Sequence, residues 1–120
     1  MISALERTIT LTDMVAYAGA TWDWHPLHYD GGFVAKKKLP GPVVDGQMLG
    51  ALMAEQVLDH FGPRAFLTAL SFRFTSMVFA GETVRVEGAI AEQDDTSARI
   101  KQRVLVGDRL AAEGEAKVRL

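Results

Sequence analysis

The chain has 120 residues, with 13 basic and 15 acidic side chains, a net charge of −2 and no cysteine. This length predicts a single domain, residues 1–120, with one hydrophobic core. The charge balance argues against a nucleic-acid partner, and the lack of cysteine excludes disulfides, thiolate nucleophiles and cysteine zinc sites. No stretch approaches the roughly 20 apolar residues of a membrane span, and residues 1–13 hold no apolar signal segment, so we expect a cytoplasmic protein with no membrane partner.

The N-terminal third is predicted to contain a strand, two short helices and a loop. We expect a short first strand at residues 7–11. Thr12 is the expected N-cap of the first helix, and Gly19 its expected end. Asp30 is expected to cap a second short helix, which runs to about Lys37 before a Pro-Gly-Pro segment breaks it.

A long apolar helix is predicted from about Asp45 to Phe61, where Gly62-Pro63 ends it. Its apolar residues recur at helical spacing and form one broad face: Met48, Leu49, Leu52, Met53, Val57, Leu58 and Phe61. Gly50 costs about 1 kcal/mol relative to alanine inside a helix. We therefore expect another backbone, a flat ligand or the sheet to approach the helix closely at Gly50.

The C-terminal half has the two-residue period of β-strands. Apolar residues alternate with polar ones over four segments: 70–75, 83–90, 98–106 and 110–118. Turns are expected at residues 79–82 and 106–109. Strands with one apolar and one polar face predict an antiparallel sheet covered on one side. The most economical arrangement is an α+β hot-dog fold, in which the sheet wraps around the long helix. The alternative is an open α+β sandwich with the helix across one end.

The segment Asp23-Trp24-His25-Pro26-Leu27-His28 carries the clearest chemical signal. Pro26 fixes its own φ and favours an extended conformation at His25, so the segment is predicted to be a stiff loop. A carboxylate and an imidazole held toward one point can together bind and deprotonate a water molecule. The alternative is structural: Asp23 caps a neighbouring turn, and His28 is a core histidine with its hydrogen bonds satisfied.

With this loop and this order of elements, the chain resembles the MaoC-type (R)-specific enoyl-CoA hydratases, a hot-dog family. The hydratase motif of that family is Asp-x-Asn-Pro-x-His, preceded by a tyrosine and small residues, and the segment from Tyr17 to His28 matches it. The resemblance implies that Asp23 and His28 are the catalytic pair. It also implies that Gly46, which opens the central helix, supplies a backbone N–H to the thioester oxygen.

The chain departs from the family pattern at two positions. His25 stands where the family usually has asparagine, and Asp45-Gly46 stands where it usually has His-Gly. Asp45 places a negative charge near the point where an enolate would form. The altered motif and Phe61-Gly62-Pro63 also look similar to hydratase subunits of steroid side-chain degradation, in which a small hot-dog chain pairs with a different one.

Aromatic and histidine side chains around the motif are candidates for substrate contacts. Trp24 and Tyr29 either line an acyl pocket or take part in core or interface packing. His25 either orients Asp23 or contacts the acyl group, or it is a surface loop residue. His25 and His28 could suggest a metal together with nearby aspartates, but no spacing supports a three-ligand site, so we expect none.

Lys36, Lys37 and Lys38 form a short basic run that either contacts the phosphates of coenzyme A or is simply solvated. Asp45 is a further candidate for substrate contact through its place beside Gly46.

The resemblance implies a hydratase or dehydratase that interconverts trans-2-enoyl-CoA and 3-hydroxyacyl-CoA in lipid or steroid degradation. Its only cofactor would be the coenzyme A carried by the acyl-CoA substrate. Two alternatives stay open: a hot-dog acyl-CoA thioesterase, and a non-catalytic acyl-CoA-binding subunit. A dimer is expected because a small wrapped sheet leaves an edge strand open, and the partner is either an identical or a different hot-dog chain.

Overall fold

The computed structural model describes residues 1–120 as one antiparallel sheet with helices on one side. Its elements are, in chain order, β1 (Ile2–Thr8), α1 (Leu11–Thr21), α2 (Gly31–Lys36), α3 (Gly46–Phe61), β2 (Phe66–Phe74), β3 (Thr83–Gln93), β4 (Ser97–Val106) and β5 (Arg109–Arg119). The sheet order is β1-β3-β4-β5-β2. A single 3₁₀ turn, Pro26–His28, lies between α1 and α2. None of the helices has the length and apolar character needed to cross a bilayer.

The sheet wraps around α3, which contacts all five strands. The buried face of α3 packs against apolar side chains of the central strands, which include Val84, Val86, Ile100, Val104 and Ala116. The predicted α+β hot-dog fold is therefore confirmed, and the open-sandwich alternative is wrong. The predicted α2 and α3 and the turns at 79–82 and 106–109 are also present, with Asp30 and Asp45 as the helix N-caps.

The first strand was predicted in the wrong place. It runs over Ile2–Thr8 rather than residues 7–11, and it pairs with β3 from Ile2↔Gly88 to Thr8↔Thr83. A register shift between Ile2 and Leu5 interrupts the two-residue alternation. Without that alternation, the sequence pattern does not indicate the strand. Pairing with a neighbouring strand, and not local pattern, defines this element.

Helix α1 starts earlier and ends later than its sequence signals predicted. Thr10, not Thr12, is the N-cap, because Thr10 and Asp13 form a reciprocal capping box. The helix passes through Gly19 and ends at Thr21, and its C-cap residue Trp22 adopts the left-handed conformation with φ of 57°. A Cβ added to Gly19 would make only ordinary contact with the ring of Trp24, at 3.7 Å, so Gly19 neither ends the helix nor is required by the packing.

Three residues expected on the apolar faces are substantially exposed. Phe74 is 56% exposed, while Ile90 and Leu58 are each 37% exposed. Phe74 lies at the end of β2, beside the first turn of α3, where no other element covers its ring. Ile90 precedes an irregularity in the pairing of β3 with β4.

Gly50 allows β2 to approach α3 closely. A Cβ added to Gly50 would lie 2.4 Å from Cζ of Phe72, a distance that real Cβ atoms do not tolerate. The sheet, not a ligand, therefore occupies the space that Gly50 leaves free. Gly46, one turn earlier on the same stripe, is covered in the same way by the ring of Phe74.

Gly50→Ala is expected to lower the free energy of unfolding by about 1–3 kcal/mol, because the new methyl group overpacks against Phe72. This is opposite in sign to the gain of about 1 kcal/mol that helix propensity alone predicts. Gly31→Ala in α2 is the matched control, since nothing lies within 4 Å of its added Cβ. Urea denaturation measures both changes. A Gly50→Ala variant as stable as wild type would show that Phe72 moves aside at no cost.

Candidate active site

The Asp23–His28 loop is held rigid by its own backbone and side chains. Asp23 N–H donates to Ala18 O at 3.0 Å, which fixes the loop to the end of α1. His25 Nδ1 accepts from Leu27 N–H at 3.1 Å and so caps the 3₁₀ turn that Pro26 opens. These bonds bring the side chains of Asp23 and His28 to the same side of the loop.

Asp23 and His28 face one another across a short gap. His28 Nε2 lies 3.9 Å from Asp23 Oδ2, which is too long for a direct hydrogen bond. His28 Nδ1 lies 2.7 Å from Val43 O, and a carbonyl oxygen can only accept, so Nδ1 carries the proton in the neutral ring. Nε2 is then an acceptor directed toward Asp23. The two atoms are close enough for one water molecule to bridge them, but the pocket that Asp23, His28 and Asp45 line has no free volume for a water in this structure, so the side chains must separate slightly to admit one.

The partners of the two side chains bear on the structural alternative for this pair. Asp23 Oδ1 accepts from His25 N–H at 3.5 Å, at the limit of a hydrogen bond, and this is the capping contact that the alternative expects. The side chain of His28 is 15% exposed and that of Asp23 is 44% exposed. The imidazole has one satisfied nitrogen and one free nitrogen, unlike a fully paired core histidine.

Asp45 joins this pair from the start of α3. Its Oδ1 accepts from Gln47 N–H at 2.9 Å as the helix cap. Asp23, His28 and Asp45 each offer an oxygen or nitrogen atom, and these atoms all lie within 4.8 Å of one another. The sequence predicted Asp45 near Gly46 but not its contact with Asp23, because only the packing of the loop against α3 brings the two together. The trio that could hold a cation contains Asp45, and neither His25 nor Asp30.

The two carboxyl groups have different environments. Burial, together with the hydrogen bond to Asp23, raises the pKa of Asp45 above its ordinary value. The hydrogen bond from Asp45 lowers the pKa of Asp23, with the His25 N–H and the His28 ring acting in the same direction. Burial also raises the pKa of Tyr17, and the negative charges of Asp45 and Asp23 add to that effect.

Gly46 offers an unpaired donor beside the trio. Asp45 accepts the next two N–H groups of α3, from Gln47 at its side chain and from Met48 at its carbonyl oxygen. The Gly46 N–H has no acceptor within the chain. It opens into an apolar cleft of about 380 Å³ that is lined by His28, Val43, Val44, Gly46, Leu49, Phe74, Thr75, Ser76, Met77 and Val78.

The segment Phe74–Met77 was not predicted as part of the site. Phe74 was expected to face the core, but its exposed ring lies over Gly46 and forms one wall of the cleft. Thr75 and Ser76 turn the chain away from the sheet by donating from their hydroxyl groups to Leu110 O. The break in alternation after Phe74 was the available signal that the strand ends at this point.

The aromatic candidates lie outside the cleft. Trp24 packs edge-on against Trp22 and Tyr29, with ring centroids 5.9 and 6.1 Å apart, and Tyr29 Oη donates to Trp24 O. The ring of His25 packs against Phe33 at 5.8 Å behind the loop. Contacts of these residues with substrate stay predictions, and the structure shows their packing within the loop.

The three lysines are exposed at the end of α2. Lys37 Nζ lies 5.6 Å from the ring centroid of Phe33, and Lys38 takes a left-handed conformation with φ of 59°. None of Lys36, Lys37 and Lys38 lines the apolar cleft. Their proposed contact with phosphates stays a prediction.

The hydrogen bond to Val43 O predicts the tautomer of His28. At a pH where the imidazole is neutral, Nδ1 should give a pyrrole-type and Nε2 a pyridine-type ¹⁵N shift in a long-range ¹H–¹⁵N correlation spectrum. His60, on the exposed end of α3, serves as an internal comparison. The reverse shift pattern for His28 would mean that Nε2 is a donor and cannot accept a proton from water.

Comparison with known proteins identifies the family. The model of the "MaoC like domain" family matches residues 2–113. The (R)-specific enoyl-CoA hydratase of Aeromonas caviae is 29% identical over 97% of this chain and 90% of its own length. The 3-hydroxybutyryl-CoA dehydratase of Methylorubrum extorquens is 27% identical over 97% of this chain and 76% of its own length.

Solved structures agree with this assignment. The (R)-hydratase of A. caviae superposes with a TM-score of 0.91 at 29% identity, over 98% of this chain and 92% of the other. The ChsH1–ChsH2 complex from Mycobacterium tuberculosis gives a TM-score of 0.92 over 99% of this chain and 94% of the matched one, and at 19% identity it shows the fold alone. The chain belongs to the MaoC-like domain family and is one of its hydratase/dehydratase enzymes.

Proposed function

We propose that this chain interconverts trans-2-enoyl-CoA and (R)-3-hydroxyacyl-CoA. The observation that carries the proposal is the position of His28, which lines both the small pocket that contains Asp23 and the apolar cleft that contains Gly46 with its unpaired N–H. The relatives named for hydration of enoyl-CoA and dehydration of 3-hydroxybutyryl-CoA support it. The chemistry needs no cofactor beyond the coenzyme A of the substrate.

The reaction can be followed group by group. The thioester oxygen accepts from Gly46 N–H, which stabilises the negative charge that develops there. Asp23 and His28 Nε2 bind the water, and the pair removes a proton as the oxygen attacks C3. The C2–C3 π electrons move to form an enolate, and the pair then returns the proton to C2. Water has been added across the double bond, and the pair has regained its original protonation state. General acid–base catalysis of this kind contributes about 10²–10⁴-fold.

A partner chain is proposed along β2. This strand lies at the edge of the sheet, and Phe66 and Phe74 on it are 57% and 56% exposed. An open edge with exposed aromatic side chains favours association. The ChsH1–ChsH2 and HadBC structures, both similar in fold, are complexes of two different chains. We propose a second hot-dog chain, identical or different, beside this edge and the neighbouring cleft.

Asp23→Asn is expected to reduce hydration of crotonyl-CoA and of a longer 2-enoyl-CoA by about 10²-fold or more, because the amide cannot accept the proton from water. The loss of the enoyl-thioester absorbance measures the rate, and circular dichroism confirms the fold. Asp30→Asn, a capping aspartate outside the trio, is the matched control and should hydrate at the wild-type rate. An Asp23→Asn enzyme of full activity contradicts the assignment.

The same assay separates the alternative functions. Release of free thiol from a saturated acyl-CoA identifies a thioesterase. A wild-type chain that has no hydratase activity alone, but co-purifies with a second hot-dog chain, indicates the non-catalytic subunit. Size-exclusion chromatography with light scattering on the same sample gives the oligomeric state.

Gly46→Ala is expected to lower kcat/KM by about 10²-fold, because the added methyl group would lie 2.2 Å from Cζ of Phe74 and displaces the donor N–H. The double variant Gly46→Ala/Phe74→Ala removes that collision and should recover part of the loss. The kcat/KM of Phe74→Ala alone completes the double-mutant cycle. Additive effects of the two substitutions would show that the collision is not the cause.

A further inference from the structure

Asp23 and Asp45 bring two carboxyl groups within 4.8 Å of one another in a small pocket. Their oxygens and a His28 nitrogen lie within 4.8 Å of one another. The rest of the pocket is lined by Met14, Tyr17, Ala18 and Met48, and no lysine or arginine is among the lining residues. Two carboxylates this close repel unless a proton or a cation lies between them.

The groups that face Asp45 come from each neighbouring element. They are Tyr17 from α1, Asp23 and His28 from the loop, and the Gln47 N–H from α3 itself. The phenol of Tyr17 is neutral, and His28 directs an unprotonated Nε2 toward the carboxylates when its ring is neutral. A proton shared by the two carboxyl groups is therefore the most direct way to remove one negative charge.

The surroundings decide which carboxyl group holds the proton. Both aspartates line the small pocket and are half-buried, and 44% of the Asp23 side chain is exposed to solvent. One oxygen of Asp45 is used by Gln47 N–H, which leaves the other for an O–H directed at Asp23. Burial is the first cause that raises the pKa of Asp45, and the hydrogen bond with Asp45 is the first cause that lowers the pKa of Asp23. Both shifts favour a proton on Asp45 and a charge on Asp23.

We propose that Asp23 and Asp45 hold one proton between them, that it resides on Asp45, and that the Asp45 hydroxyl donates to Asp23 and keeps it ionised as the base. Asp45 is thus a positioning residue for Asp23. The inference rests on the proposed hydration reaction for its catalytic consequence, but the shared proton is a property of the free protein.

The shared proton also removes a conflict at the oxyanion site. An ionised Asp45 beside Gly46 would repel the enolate oxygen that the Gly46 N–H must stabilise. A neutral Asp45 still accepts from Gln47 N–H, so the helix stays capped without that charge. The acidic residue at the start of α3 is then compatible with enolate chemistry.

The opposite pKa shifts of Asp23 and Asp45 predict how activity depends on pH. As pH falls, activity should be lost only below the ordinary range of an aspartate, because Asp23 has a lowered pKa. As pH rises above the raised pKa of Asp45, the proton is lost, the pair carries two charges, and activity should fall again. Activity is therefore highest between these two steps.

Carboxyl ¹³C NMR of aspartate-labelled full-length protein tests the shared proton without substrate. Wild type should show two coupled steps, one below and one above the ordinary aspartate pKa. In Asp45→Asn the upper step should disappear and Asp23 should still titrate low, because the new amide N–H also donates. Asp30→Asn should leave both steps in place. Two aspartates that both titrate at or below the ordinary value would overturn the shared proton.

The pH–rate profile tests the positioning role separately. Asp45→Asn should lose the high-pH fall in kcat/KM, whereas Asp45→Ala should lose about tenfold in rate and move the acid limb upward, because Asp23 then lacks its donor. An unchanged profile in Asp45→Asn overturns the positioning role even if the NMR steps are present. A wild type without hydratase activity but with both NMR steps refutes the proposed function and leaves the shared proton standing.

A cation is the competing way to neutralise the pair. The NMR titration is repeated with EDTA and then with Mg²⁺ or Zn²⁺. Coupled steps that persist in EDTA support the proton. Steps that appear only in EDTA, with both carboxyl signals shifted by micromolar metal, would replace the proton with a metal ion and overturn the proposal.

Discussion

The close approach of β2 to the start of α3 is the constraint on which the site depends. Gly46 and Gly50 lack side chains, so the rings of Phe74 and Phe72 lie directly against the helix. This contact fixes the first turn of α3 beside the end of β2, and it places the free Gly46 N–H at the cleft instead of in the core. It also determines where Asp45 lies, since the cap residue must precede that turn. The donor, the cap and one wall of the cleft are thus consequences of a single packing interaction.

A short extended segment joins the loop to this helix. Val43 N–H donates to Leu27 O at 2.9 Å, and Val43 O accepts from His28 Nδ1 at 2.7 Å. Val44 N–H donates to Val78 O at 2.7 Å, which ties the same segment to the turn after β2. The imidazole is therefore oriented by a backbone group whose own position is fixed on both sides. Both valines are buried, so the tautomer of His28 is determined by the packing of the fold and not by a surface contact.

The sequence predicted the parts of this arrangement that depend on local pattern. The central helix, the loop around Pro26 and the alternation of β4 all depend on neighbours in sequence, and each is present. Strand β1 was misplaced because a register irregularity hides its alternation. The contact of Asp45 with Asp23 and the exposure of Phe74 could not be predicted, because both depend on how the loop and the end of β2 pack against α3. Local pattern thus predicted the candidate reacting groups, while tertiary contacts determine their surroundings.

An aspartate at the start of α3 can meet two demands that conflict for a charged group. A helix N-terminus favours an acceptor and negative charge, whereas an oxyanion site one residue later disfavours a negative charge. A carboxyl group has two oxygens: one oxygen of Asp45 accepts from Gln47 N–H, and the other has no such partner in the pocket that Asp45 shares with Asp23. If the second oxygen carries a proton, the cap is retained and the charge is transferred to Asp23, where a base is needed. The departure from the usual histidine would then change how the proposed base, Asp23, is kept ionised, while the Gly46 N–H stays unpaired as a donor.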